Sequence, residues 1–440
     1  MPTRPVLFLP GYYGSKFKLI STGETIWIDL DDIFRPSRVI EKMALGQNPD
    51  PVKAVSVLDT IDLFPFLKLG IYKSLERWFR NSLGYAAEYV HMVPVDWRQS
   101  LDLLADQLKV DIETRVPNGQ VDLVGHSHGG LVARAYMAKY GGNRVARLIT
   151  LGTPHKGMLK VLEALASGIE LAFFTRTMTK PWARSMPSPY ELMPRFGDGH
   201  FLWNGQATDP FTNADWVQVH ESNPAIREEM LLLLQQTQSI TAQLLPNQIP
   251  VPSYFIFGTR LETMNRARGG PGQPITMEKA PEGDGVVTTL SAEDRGIQGA
   301  NIIRCPAPLA SHMLIFRDAQ VKALMKSILL DDRLPYAGAQ VLVRWEGNKN
   351  YYFPGTNKRI MVEVRDLRGD PIPDARVDFT LKQGRRVLIQ ETIPQSPLGD
   401  FTMLVNLPSE GVRLNWRVAI SGTGVPDSAK VHRGSIWPRN

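Results

Sequence analysis

Cysteine is almost missing: Cys305 is the only one among 440 residues. No intramolecular disulfide is open to the chain, and a reducing compartment suits it. Long apolar runs are missing too, since none approaches the roughly 18 residues of a spanning helix. The stretch "MPTRPVLFLPGYYGS" carries one arginine and a short apolar run, too short for a signal-peptide core, so it reads as a first strand. Zinc-ligand spacings, a P-loop and a dinucleotide fingerprint are absent, so neither metal nor cofactor is expected. The formal charge of +6 reads as a solvated surface, and no nucleic-acid partner is expected. These absences favour a cytoplasmic protein, with membrane association or non-classical export as alternatives.

What is present is a globular pattern, 43% hydrophobic and 21% charged, in a chain too long for one ordinary core. Through about residue 335, apolar β-rich runs alternate with helical periodicity. The runs are "PVLFL" (5–9), "EYVHMVPV" (88–95), "VDLVG" (121–125), "ARLITLG" (146–152), "VPSYFIFG" (251–258) and "NIIRC" (301–305). Between them, 71–83, 100–115 and 131–140 place apolar residues three and four apart. That alternation predicts an α/β fold with a mostly parallel sheet covered on both faces. Residues 158–250 interrupt it with a stretch too long for a structureless loop, which predicts a helical lid or cap. From about 340 to 440, short alternating strands broken by Gly, Pro and Asp predict a separate antiparallel, immunoglobulin-like β-sandwich.

The chemistry starts at "GHSHG" (125–129). A β-run before it and a helix after it match a nucleophile elbow, in which flanking glycines let the chain reverse at an exposed serine. The alternative is a β–α turn whose serine only caps the helix. A serine nucleophile needs a base, and the base needs a carboxylate that fixes its tautomer. In such folds the order is serine, acid, histidine. Of the histidines after the elbow helix, His200 and His220 fall in the cap, His432 falls in the β domain and His155 comes too early. His312, in "APLASHMLIF", follows the last β-run and is the expected base. Asp284, in "EGDGVVTTLSA", has a glycine on each side to aim it and is the expected acid; Glu282, Glu293 and Asp294 are its competitors. Two amides should receive the oxyanion. One belongs to His128, after the serine, and the other to Tyr12, after the Pro10–Gly11 turn. The side chains of His126 and His128 read as packing or substrate contacts.

"LPGYYGSKF", "GETIWIDL", "VPVDWR", "GHSHGG", "LGTPHKG", "SPYELMP", "GDGVV" and "SHMLIF" together resemble the lecithin:cholesterol acyltransferase-like family of α/β-hydrolases, over roughly residues 5–330. The resemblance implies Ser127, Asp284 and His312 as a catalytic triad, the Tyr12 and His128 amides as oxyanion hole, a mobile lid, and phospholipid or neutral lipid ester substrates. Asp96, Trp97 and Arg98 match a motif expected to support the site. The chain differs from secreted animal members in lacking disulfides and in carrying the β domain, so it looks like a bacterial relative.

The expected activity is that of a serine esterase or lipase working through an acyl-enzyme. An acyltransferase with an alcohol acceptor is the first alternative, and a phospholipase effector recruited by its β domain is another. An inactive hydrolase frame serving as a scaffold is the non-enzymatic reading, which the intact serine, acid and histidine oppose. The segment 165–184 predicts a membrane-sensing lid whose apolar side, with Phe173 and Phe174, alternates between core and lipid while Arg176, Lys180 and Arg184 meet anionic head groups; the alternative is a cap that packs its apolar face on the hydrolase core. Partner docking or self-association is expected of the β domain.

Overall fold

The computed structural model describes all residues except 1, 3, 28–35, 46–50, 65, 66, 71, 171–173, 196, 198, 295, 306–310, 332–339, 346–350, 366–370, 373, 397–399, 423, 424, 426–430, 439 and 440. Phe173 and the expected boundary near 335 therefore lie outside the described residues. The chain divides into two compact units, 1–300 with 305–330, and 331–440 with 301–304.

The first unit is built on a six-stranded sheet. Its strands are β1 (Val6–Leu9), β2 (Val90–Met92), β3 (Val121–His126), β4 (Val145–Leu151), β5 (Gln248–Gly258) and β6 (Gln298–Cys305), in the order β6–β5–β4–β3–β1–β2. β1 pairs in parallel with β2 and β3, and β4 pairs in parallel with β3 and β5. Helices α1 (Lys73–Leu83), α2 (Leu101–Arg115) and α3 (His128–Tyr140) make the crossovers. The apolar runs became strands because both faces are covered: every residue of β1 and β3 is buried. The run at 88–95 shortens to β2 because it is the sheet's edge, paired on one side only.

Beyond β4 come α4 (Leu159–Ser167), α5 (Arg176–Arg184), α6 (Pro187–Glu191), α7 (Asp215–His220) and α8 (Pro224–Leu244). Helix α8 packs on α6 and α7 and also on α2 and α3, bridging the expected cap and the sheet's helical layer as it returns the chain to β5. A second insertion lies between β5 and Asp284. Strands Leu261–Gly270 and Gln273–Gly283 form a long antiparallel hairpin, extended by Phe201–Trp203 and Gln206–Ala207 into a four-stranded sheet. The hairpin turns at Pro271–Gly272, with Gly272 at φ +69°, the pairing a type II turn requires. Helix α4 packs on both its strands.

The second unit is a β-sandwich. One sheet orders 340–345, 357–365 and 400–406; the other orders 351–352, 431–438, 414–421, 376–383 and 386–393. Alternate residues point inward, among them Ile360, Val362, Val364, Val377, Phe379 and Leu381, and form its own core.

One buried charge breaks the apolar strands. Asp122 of β3 faces Arg147 of β4 across the ladder, with Arg147 Nε donating to Oδ1 at 2.8 Å, and Arg4 adds a second contact at 3.3 Å. Removing Arg147 takes the closer partner from the buried Asp122 carboxylate and leaves it the longer Arg4 contact. Arg147→Leu should cost on the order of 3–5 kcal/mol in urea denaturation. Adding Asp122→Leu should recover most of that loss.

Candidate active site

Strand β3 ends at His126 and α3 starts at His128, so Ser127 alone makes the reversal, at φ 51° and ψ −121°. Such a backbone costs a non-glycine residue roughly 1–3 kcal/mol and persists only where surroundings hold it. Here the Ser127 N–H donates to the Leu151 carbonyl at 2.8 Å. The helix can sit this close because Gly129 has no Cβ; one built there would lie 2.3 Å from the Leu9 oxygen. The serine does not cap its helix.

Its hydroxyl instead lies 2.9 Å from Nε2 of His312. On the other edge of the ring, His312 Nδ1–H donates to Asp284 Oδ2 at 2.9 Å. Asp284 Oδ1 accepts the Val286 and Val287 amides at 3.0 and 2.8 Å, so the carboxylate is aimed by its own turn. The His312 N–H donates to the Asp284 carbonyl at 2.9 Å, joining the two loops by backbone as well. The structure thus brings all three expected side chains together, each buried. Among the competing acids, Glu282 is exposed and Asp294 pairs with Lys156 at 3.1 Å. Gly152, in "LGTPHKG", has a role the sequence reading missed. At φ +59° it lies against the pair, and a Cβ there would sit 3.0 Å from Asp284 Oδ2 and 3.2 Å from His312 Nδ1.

His128 opens α3, so its amide is one of the first-turn donors a helix leaves without an internal partner. Tyr12 lies in the turn after β1, closed by the Gly14 N–H donating to the Gly11 carbonyl at 2.9 Å. That turn rests on an aromatic cluster centred on Trp97. Its indole ring lies 4.9 Å from Tyr12, 4.8 Å from Tyr13, 5.5 Å from Trp27 and 5.6 Å from Trp182. Beside it, Arg98 grips Asp96 with two hydrogen bonds of 2.8 and 2.7 Å and donates to the Met43 and Val52 carbonyls. The "DWR" stretch is structural support.

Ser127 and His312 open into an apolar cavity of about 280 Å³, walled by Tyr13, Trp27, Val161, Phe174, Trp182 and Met186 among others. In this structure the described part of the expected lid segment turns inward. Phe174 is buried and stacks 5.7 Å from Trp27. Arg184 is buried against Glu221 and the Leu165, Ala166 and His220 carbonyls, Lys180 donates to the His220 carbonyl at 2.9 Å, and Arg176 pairs with Glu163 at 2.9 Å. These cations bind the cap to itself. Among the described residues, no group of three His, Cys, Asp or Glu side chains is placed to hold a metal, and no helix is long and apolar enough to cross a membrane.

The first unit has the α/β-hydrolase fold. Residues 45–246 match the family model described as lecithin:cholesterol acyltransferase. The match contains Ser127 and stops short of Tyr12, Asp284 and His312. No curated protein sequence matches the chain at a significant level. Among solved structures, the chain is similar to the crystal structure of the Tle4–Tli4 complex, with 15% identity over 74% of this chain and 98% of that one and a TM-score of 0.53. It is more distantly similar to the mature Bacillus licheniformis lipase BlEst2, with 14% identity over 75% and 94% and a TM-score of 0.30. For the Listeria innocua lin2722 gene product the figures are 12%, 75%, 94% and 0.32.

The two histidines that flank Ser127 are held neutral. Burial first, then the nearby His312, lowers His126 to about 3, and burial lowers His128 to about 4. Both ring nitrogens of His128 lack a partner among the described residues. Folded protein therefore binds fewer protons than unfolded chain between about pH 4 and the ordinary imidazole value near 6.5. Stability is full above that range and is lost as pH falls through it. His128→Leu should raise the urea midpoint at pH 8, by roughly 1–3 kcal/mol of stability, because it removes an unsatisfied buried group. The gain should widen at pH 5, where His128 of the unfolded wild-type chain takes up a proton and Leu takes up none.

Proposed function

We propose that the protein is a serine esterase or lipase that cleaves acyl esters of lipids. The observation that carries this reading is His312 spanning Ser127 and Asp284 at 2.9 Å on each side, at the floor of an apolar cavity. Ser127 Oγ attacks the acyl carbonyl while its proton passes to His312 Nε2. Asp284 holds the Nδ1 proton and stabilises the imidazolium that forms. The Tyr12 and His128 amides receive the oxyanion. The intermediate collapses as His312 protonates the leaving alcohol, and water, activated by the same imidazole, releases the acyl group. The cavity fits an acyl chain, and Lys160 in its lining is a cation suited to an anionic head group.

The apolar cavity lined by the cap also supports a second reading, transfer of the acyl group to an alcohol instead of water. We place the β-sandwich outside the chemistry, as a module of about 340–440 for docking a protein partner or self-association. The likeness to one component of a two-protein complex supports looking for such a partner.

Covalent labelling by a fluorophosphonate tests the chemistry. Wild type should label at Ser127, and Ser127→Ala should lose both label and activity while keeping its fold. Asp284→Asn should fold and lose about 10⁴-fold in kcat through a misoriented imidazole. Full labelling of Ser127→Ala would sink the assignment. Lipidomics of mixed membranes, with and without an added alcohol, separates free fatty acid from new ester.

A further inference from the structure

Beneath the triad runs a second buried chain of hydrogen bonds. Tyr72, directly before α1, accepts the Gly11 N–H on its hydroxyl oxygen at 3.0 Å. The same hydroxyl lies 2.7 Å from His126 Nδ1, and His126 Nε2 lies 2.8 Å from the carbonyl oxygen of His312. For a neutral imidazole, one proton arrangement satisfies all three contacts. The carbonyl can only accept, so Nε2–H donates to it, and Nδ1 accepts from the Tyr72 hydroxyl, whose oxygen also receives the Gly11 N–H. His126 is then neutral with its proton on Nε2. Its burial favours that state, as does its packing 5.7 Å from Phe316; Tyr72 in turn lies 5.2 Å from Phe316 and 4.9 Å from Phe8.

We propose that Tyr72 and His126 are positioning residues that lock the oxyanion loop to the base loop. The inference rests on the Ser127–His312–Asp284 reading. Gly11 adjoins Tyr12, whose amide is the second oxyanion donor, while His126 adjoins Ser127. The far end of the chain holds the peptide of His312, whose N–H is held by Asp284. Three loops that follow different strands, after β1, β3 and β6, are thereby tied through one imidazole that does no proton transfer itself. Misplacing either the oxyanion donor or the base by a fraction of an ångström acts on the transition state more than on ground-state binding.

Tyr72→Phe in the full chain removes only the hydroxyl and tests this. On a soluble nitrophenyl ester, kcat should fall about tenfold with KM within about twofold, and fluorophosphonate labelling should slow in parallel. A purely structural hydroxyl would lower the melting temperature and leave kcat of the folded enzyme alone. His126→Gln, which keeps a donor for the His312 carbonyl, should retain more kcat than His126→Leu, which keeps none. Nitrogen NMR of wild type should show His126 as the neutral Nε2–H tautomer at pH 6; a charged ring or an Nδ1–H tautomer there overturns the proposal even if the variants fail to fold. Wild-type kcat in both Tyr72→Phe and His126→Leu, with Ser127 still labelled, overturns the lock and leaves the triad reading intact. Absence of label at Ser127 in wild type overturns both.

Discussion

The constraint on which the first unit depends is the single-residue reversal at Ser127. A strand buried on both faces cannot present a polar side chain to a cavity while it continues. The chain must leave the sheet abruptly, and it does so through a backbone that only its neighbours make tolerable. The Leu151 carbonyl holds the Ser127 amide, and the absence of side chains at the glycines after it lets α3 press against the end of β1. The elbow is therefore stabilised by the whole parallel sheet rather than by local turn chemistry. Moving β1 or β4 would release it.

A second requirement is that the turn after β1 stay rigid although it is only a few residues long and includes Tyr13 at φ 65°. Aromatic packing supplies that rigidity. Trp97 lies under Tyr12 and Tyr13, and Arg98 secures the segment from below by binding Asp96 and two carbonyls. A buried Arg–carboxylate pair is worth little to stability against an apolar substitute, but its geometry is specific. Here it fixes the orientation of the indole, and the indole fixes the turn.

Much of this was legible in the sequence, for identifiable reasons. Strands buried on both faces write themselves as apolar runs, and an elbow has few workable sequences, so β1, β3, β4 and Ser127 could be read directly. Asp284 and His312 followed from chain order and glycine-flanked turns. The hairpin at 261–283 was missed because its strands are half-exposed and charged, although "GGPGQ" marked its turn. That helix α8 bridges the cap and the crossover helices could not be read, because periodicity reports that a helix has an apolar face and does not report what that face meets. The cationic residues of 176–184 read as membrane-facing for a similar reason: charge is visible in a sequence, but Glu221 and the carbonyls that absorb it are far along the chain.

The histidines show the same limit most sharply. Four of them lie near the elbow, and composition makes His126, His128, His155 and His312 equivalent donors and acceptors. What separates them is which nitrogens are already occupied. His126 has one nitrogen on Tyr72 and the other on a carbonyl; His155 is stacked 3.9 Å from Phe255 with Arg134 against Nδ1; and His128 is enclosed without partners. Burial that lowers the first three below the physiological range also removes them from proton transfer. Only His312 has one nitrogen on a carboxylate and the other on a hydroxyl. The fold withholds the other three imidazoles by burial, two of them also by hydrogen bonds, and His126 among them becomes part of the frame that holds the proposed base in place.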